Sequence, residues 1–301
     1  MTYLVTGVKG QLGYDVVKEL KERGVSYNDI LALDYEDMDI TNKEQVDNII
    51  LTYKPDVIIH CAAYTAVDKA EVDKVKCYDI NVNGPKNIAD AAEKINAKMI
   101  YISTDYVFDG RKPFDETYKV DDKVNPQSIY GKTKFEGEEM VRKLDKHFIV
   151  RTSWVFGING NNFVKTMLKL SDNHDELNVV SDQFGSPTYT VDLAKFLVDL
   201  AQSDKYGTYH ANNEGYCSWA DFASYILKDT NTKVNYVTTE EYYKGNTNVV
   251  APRPFNSKLD RSKIKENGFE QFPNWEDAVD RYKEELLKKQ NEVKAKELKM
   301  N

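Results

Sequence analysis

Tyr130 and Lys134 stand four residues apart in the stretch Asn125-Pro126-Gln127-Ser128-Ile129-Tyr130-Gly131-Lys132-Thr133-Lys134. If a helix begins near Ser128, this spacing places both side chains on one face, one turn from each other. A free phenol titrates near pH ~10. A neighbouring ammonium favours its ionised form, so such a tyrosine can release and recover a proton closer to neutrality. The chemistry on offer is protonation of a carbonyl oxygen while hydride arrives at its carbon. With 20 tyrosines in 301 residues, the pair gains meaning only if the rest of the chain assembles a hydride-donor site beside it.

The elements that would position it begin at the first strand. Tyr3-Leu4-Val5-Thr6 is β-rich, Gly7-Val8-Lys9-Gly10-Gln11-Leu12-Gly13 follows, and Val16, Val17 and Leu20 recur at helical spacing. In this strand, turn and helix, Gly7 permits the tight turn, Gly10 lets a pyrophosphate approach the backbone, and Gly13 lets helix and strand pack closely. The phosphates would meet the helix N-terminus. A second strand, Ile30-Leu31-Ala32-Leu33, ends in Asp34, where an acid holds a ribose and repels a 2′-phosphate, so the reading leans toward NADH over NADPH. Asp37 and Asp39 compete for that role. Thr41-Asn42-Lys43-Glu44 has capping-box spacing before a helix toward Tyr53.

Val57-Ile58-Ile59-His60-Cys61 is a third strand, with Ala62-Ala63-Tyr64-Thr65 at its carboxyl end, where open α/β sheets bind ligands. His60 reads as a packed strand residue. A helix from about Val75 to Ile95 leads to the strand Met99–Ser103, and Thr104 then carries a hydroxyl over the same sheet edge, able to bond a substrate oxygen and Tyr130. His147–Arg151 is a further strand, and Trp154 beyond it offers an aromatic face to a sugar ring or to the core. Leu177–Val180 reads as a strand and Val191 to Ala201 as an amphipathic helix. From Tyr206 the alternation breaks into shorter pieces: a helix over Trp219 to Leu227 capped by Ser218, and a strand over Val234 to Val237. Arg253, held between Pro252 and Pro254, has the planar fork to grip a diphosphate.

These elements predict a Rossmann-type doubly wound parallel α/β sheet with a smaller C-terminal α/β substrate lobe. Residues 1–155 are mainly dinucleotide-binding and 156–285 mainly substrate-binding, with some chain returning to the core; 286–301 is a polar helical or frayed tail. The net charge of -8 argues against nucleic acid as a partner. No apolar run is long enough to span a membrane and the start lacks a signal-peptide layout, so a cytoplasmic protein is expected. Cys61, Cys77 and Cys217 lack metal-ligand spacing and read as reduced thiols.

Together the glycine turn, Asp34, Thr104 and the Tyr130/Lys134 pair resemble the extended short-chain dehydrogenase/reductase superfamily. Four longer stretches, Ser103–Gly110, Arg151–Gly157, Asp182–Thr188 and Arg253–Ser257, resemble the dTDP-4-dehydrorhamnose reductase family within it. The resemblance runs to about Tyr282. It implies that Tyr130 is the proton donor, that Lys134 holds the nicotinamide ribose and lowers the phenol pKa, and that Thr104 is the third catalytic member. It further implies pyrophosphate contacts at Gly10, Gln11 and Leu12, adenosine contacts at Asp34, Asp39 and Ile40, and mid-cofactor contacts at Ala62, Ala63, Tyr64 and Thr65. Thr104, Asp105 and Trp154 would meet the deoxysugar of a sugar-nucleotide substrate. Family members with magnesium at a dimer interface use carboxylates. Here Thr190-Val191 stands where a glutamate is expected, so no metal ligand is assigned, Mg2+ is left unplaced, and a homodimer stays open.

Sibling activities remain alternatives. A sugar-nucleotide 4,6-dehydratase of this scaffold carries a glutamate after the Thr-Asp pair, but Tyr106 occupies that place. A 4-epimerase needs the same hydride machinery and no net reductant. A non-catalytic regulatory subunit, as in methionine adenosyltransferase, is the reading from another class; the intact Thr104, Tyr130 and Lys134 argue against it.

Overall fold

A computed structural model describes residues 1–300. Five strands appear in the order of the sequence: β1 (Tyr3–Thr6), β2 (Ile30–Leu33), β3 (Val57–His60), β4 (Lys98–Thr104) and β5 (His147–Thr152). With Gly207–His210 they form one parallel sheet, ordered Gly207–His210, β5, β4, β3, β1, β2. The order reverses between β1 and β3, which leaves a crevice at their carboxyl ends.

Every central strand is buried on both faces, and the period-2 alternation sorts its side chains into two cores. Tyr3, Val5, Val57, Ile59, Ile100, Phe148 and Val150 face one layer, packed by α1 (Gln11–Glu22) and the Thr190–Ala201 helix. Leu4, Ile58, Met99, Tyr101 and Ile149 face the other, packed by α2 (Lys43–Tyr53) and by the helices Gly84–Lys94 and Ile129–Val141. Here α3 is Val67–Ala70, α4 Lys74–Tyr78, α5 Gly84–Lys94 and α6 Ile129–Val141. Asp79–Asn83 is a wide π turn that joins α4 to α5, so the helix expected from Val75 to Ile95 is one body with a bulge.

The structure sharpens four readings. The cap of α2 is Asn42, whose side chain accepts from the Glu44 and Gln45 amides, and Thr41 serves Asp39 instead. Leu177–Val180 lies within a longer strand, Glu176–Val180, which pairs with Lys233–Val237 and not with the main sheet. The alternation breaks after Tyr206, and the chain expected to return to the core includes Gly207–His210, the sheet's edge strand on β5. Gly207-Thr208-Tyr209-His210 lacks the apolar run that marks β1, β2 and β3 in the sequence; pairing with β5 supplies the strand. Finally, the tail expected as polar helical or frayed continues a helix already begun: Trp275–Met300 is one helix whose Tyr282 is fully buried in the lobe's aromatic core. Asn301 lies outside the described residues.

Candidate active site

The glycine turn is built as its spacing demands. Gly7 adopts φ 70, and a Cβ on Gly13 would overlap the Gly7 carbonyl, so only glycine lets α1 start this close to β1. The helix begins after Gly10 with no side-chain cap and no acid in its first turn, leaving amides and the positive helix end open to an anion. At the end of β2, Asp34 accepts hydrogen bonds from the Lys9 amide (2.8 Å) and the Tyr35 amide (2.8 Å), which holds its carboxylate beside the turn. The uncapped helix end, the space Gly10 leaves and the fixed acid fit a dinucleotide.

One cavity of about 1120 Å³ runs from this turn across the sheet edge into the lobe. Its wall includes Gly7, Gly10, Gln11, Leu12, Asp34, Ile40, Ala62, Ala63 and Thr65 on the turn side, and Thr104, Asp105, Tyr130, Lys134, Trp154 and Arg253 further along. Three expected residues stand outside it. Asp39 spends its carboxylate on the Thr41 amide and hydroxyl, at a separate small hollow. Tyr64 turns away, its hydroxyl on Asp73 and its amide on Asn81. Gly13 serves packing. The Gln11 side chain also leaves the turn, accepting from the Gly157 amide and Asn162, and so ties α1 to the lobe.

Helix α6 is fixed with unusual closeness. Ser128 caps it through the Gly131 amide, and the Glu71 carboxylate takes the Ile129 amide. A Cβ at Gly131 would overlap the Tyr106 carbonyl, and one at Gly137 the Asn81 carbonyl and Tyr101 hydroxyl. One turn beyond Lys134, the fully buried Glu138 accepts from Ser103 (2.6 Å) and from both Arg151 Nε (2.8 Å) and Nη2 (2.7 Å). This satisfied buried pair bolts the helix to β4 and β5. Sequence reading assigns no role to Glu138 or to Arg151, although the same-face spacing 130, 134, 138 singles out the glutamate.

Tyr130 sits edge-on to Tyr106 at 5.4 Å. Lys134 is 3% exposed, its Nζ 4.1 Å from the centre of the Tyr101 ring. The expected lowering of the phenol by its neighbour does not occur in this state. Burial raises the Tyr130 pKa well above its ordinary value, with a hydrogen bond to the Thr104 hydroxyl pulling the other way. Burial likewise depresses Lys134 to about 7. Desolvation penalises both charged forms, which favours the protonated phenol and the neutral amine. Thr104 Oγ1 also donates to Asp105 Oδ1 (3.0 Å) and accepts from the Tyr106 amide. Burial pushes the Asp105 carboxyl up to about 6, and its Oδ2 is buried without a partner. His60, stacked on Tyr101 and bonded to Thr6, is held neutral by burial, at about 3.

On the lobe side, Trp154 takes a positive φ of 49, a backbone cost of about 1–3 kcal/mol, and stacks on Trp219 at 3.7 Å. Phe163, Met167, Gln183, Trp219 and Tyr243 complete that end. None of the five carries a role in the sequence reading: Gln183 lies within the Asp182–Thr188 stretch and Trp219 opens the Ser218-capped helix, but only folding brings them to the cavity wall beside Phe163, Met167 and Tyr243. Arg253 reaches the cavity wall already paired with Asp68 of α3, through Nη1 to Oδ1 and Nη2 to Oδ2, both 2.8 Å. The pair holds the Asp68 carboxyl below its ordinary range. Among the described residues, no three His, Cys, Asp or Glu side chains gather as a metal site, and no helix is long and apolar enough to cross a membrane. Asp15 is hydrogen-bonded by the Thr190 hydroxyl.

Comparison with known proteins agrees with this geometry. The RmlD substrate binding domain family matches residues 1–288. A dTDP-4-dehydrorhamnose reductase of Aggregatibacter actinomycetemcomitans is 43% identical over 291 residues, spanning 92% of this chain and 96% of that protein. A crystal structure of a dTDP-4-dehydrorhamnose reductase from Clostridium acetobutylicum superposes with a TM-score of 0.90 at 44% identity, over 95% of this chain and 100% of that one. The enzyme of that name from Bacillus anthracis, solved in complex with NADP, gives 0.87 at 43% identity, again over 95% and 100%. The chain belongs to the dTDP-4-dehydrorhamnose reductase family of NAD(P)H-dependent oxidoreductases.

Proposed function

We propose that this protein reduces the C4 ketone of dTDP-4-dehydro-β-L-rhamnose to give dTDP-β-L-rhamnose, a sugar donor for cell-surface polysaccharide. The observation that carries the reading is Tyr130 beside Thr104, midway along a cavity with an anion-ready helix end on one side and an aromatic lobe on the other.

The reduced nicotinamide, when bound, supplies hydride to C4. The chain does the rest. Gly10, Gln11 and Leu12 hold the pyrophosphate by backbone amides, and Asp34 takes the adenosine ribose. Thr104 bonds the ketone oxygen and Tyr130 delivers its proton there, so the alkoxide never forms free in a water-poor site. As the phenol loses that proton, an ammonium at Lys134 offsets the charge, and the pKa of about 7 makes that protonation responsive to it. Trp154 and Asp105 border the deoxysugar, and Arg253 meets the diphosphate. NADH is favoured through Asp34, while Lys9, whose Nζ pairs with the exposed Glu36 at 2.8 Å, and Lys76 stand at the same end for a 2′-phosphate.

The test is loss of NADH or NADPH absorbance when a dTDP-4-keto-6-deoxysugar, made by a dehydratase and an epimerase, is added. Stoichiometric consumption with dTDP-rhamnose as product supports the reading. Isomerisation of the ketosugar without consumption of reductant overturns it.

A further inference from the structure

A guanidinium offers two planar edges to an anion, an end-on edge formed by Nη1 and Nη2 and a side-on edge formed by Nε and Nη2. In Arg253 the end-on edge is fully spent. Nη1 donates to Asp68 Oδ1 (2.8 Å) and to the Ala251 carbonyl (2.9 Å), and Nη2 donates to Asp68 Oδ2 (2.8 Å). Nε and the second Nη2 hydrogen carry no partner among the described residues, and Arg253 borders the main cavity.

The same carboxylate does a second job. Asp68 Oδ1 accepts from the Ala251 amide at 2.9 Å, so one side chain of α3 holds both the backbone and the guanidinium of the Ala251–Pro254 strap. The strap is stiff, with prolines at 252 and 254. Its far side is packed so closely on Gly110, at φ 72, that a Cβ there would overlap Pro254. Asp68 follows directly from the Ala62–Thr65 turn at the end of β3, and it therefore ties the lobe to the cofactor side of the crevice.

We infer that Asp68 is a positioning residue for the sugar nucleotide: it clamps Arg253 end-on so that the side-on edge stays oriented for the substrate's diphosphate. This rests on the diphosphate role proposed for Arg253. The opposite outcome, in which Asp68 competes with the diphosphate for the guanidinium, is disfavoured by geometry. Its carboxylate occupies the edge the diphosphate does not need, and at 47% side-chain exposure its charge is screened by solvent. An Arg released from the clamp has to be ordered again on each binding event, which costs about a two- to tenfold loss of affinity for one long side chain.

The experiment titrates dTDP into the full chain and into Asp68→Asn, Arg253→Ala and the double variant by calorimetry, with thermal melts confirming that each is folded. Arg253→Ala weakens dTDP by about tenfold or more. Asp68→Asn weakens it by about two- to tenfold, and adds nothing in the Arg253→Ala background. Asp68→Glu, which keeps the carboxylate, recovers part of the loss and serves if the Asn variant does not fold. With the ketosugar nucleotide, Asp68→Asn raises KM and leaves kcat in place. Tighter or unchanged dTDP binding in Asp68→Asn, or an equal loss in both backgrounds, overturns the inference while leaving Arg253 in its role. An Arg253→Ala variant that binds dTDP like the parent overturns the diphosphate assignment itself.

Discussion

Replacing Tyr130 with Phe removes one oxygen from the centre of the proposed chemistry and leaves the surrounding packing in place. The ring keeps its edge contact with Tyr106, since that contact belongs to carbon atoms 5.4 Å apart at their centroids. The Thr104 hydroxyl, left without the phenol, retains Asp105 as acceptor and the Tyr106 amide as donor. No buried polar group is orphaned, so the cost in stability should stay within about 0.5–1.5 kcal/mol, one ordinary hydrogen bond. Turnover is another matter. A positioned general acid contributes about 10²–10⁴-fold, or about 3–5.5 kcal/mol at 1.4 kcal/mol per decade, and it acts in the transition state alone. We therefore expect kcat and kcat/KM to fall together by that factor, with NADH affinity unchanged. Stopped or steady-state NADH oxidation, fluorescence titration of cofactor and a thermal melt on the same preparation decide it. A folded Tyr130→Phe protein that turns over near the parent rate removes Tyr130 from the mechanism.

Asp34→Ala should shift the ratio of NADPH to NADH use toward NADPH, because the charge opposing a 2′-phosphate is gone; both affinities fall, since the Lys9 and Tyr35 amides lose their acceptor. A parent enzyme that strictly requires NADPH would contradict this assignment of Asp34. For Lys134, burial lowers the folded pKa to about 7 from 10.5, so between those values the unfolded chain binds the extra proton and cofactor-free stability rises with pH. Lys134→Met should flatten that rise in thermal melts across the window while sharply reducing turnover; an unchanged pH slope refutes it. Trp154→Ala should raise KM for the sugar nucleotide and lower kcat while sparing NADH binding, and cofactor affinity weakened as much as substrate affinity would place the indole in the wrong half of the cleft.

The amino-acid sequence by itself determined the sheet's central strands, the glycine turn, the capped helix of Tyr130 and Lys134, and the family. These rest on signals a few residues long: an apolar run bounded by turn residues, a glycine wherever another backbone comes too close, and a four-residue spacing that one helical turn makes a face. Tertiary structure decided what depends on distant partners. Gly207–His210 is a strand because β5 offers it an edge. Asp39 and Tyr64 leave the cavity because Thr41 and Asp73 bond them first. Arg253 is set by Asp68, 185 positions away. The electrostatics of the pair also changed with folding. Spacing alone suggests an ammonium that lowers the phenol's pKa, but burial removes the water that stabilises either charge, which raises Tyr130 and lowers Lys134.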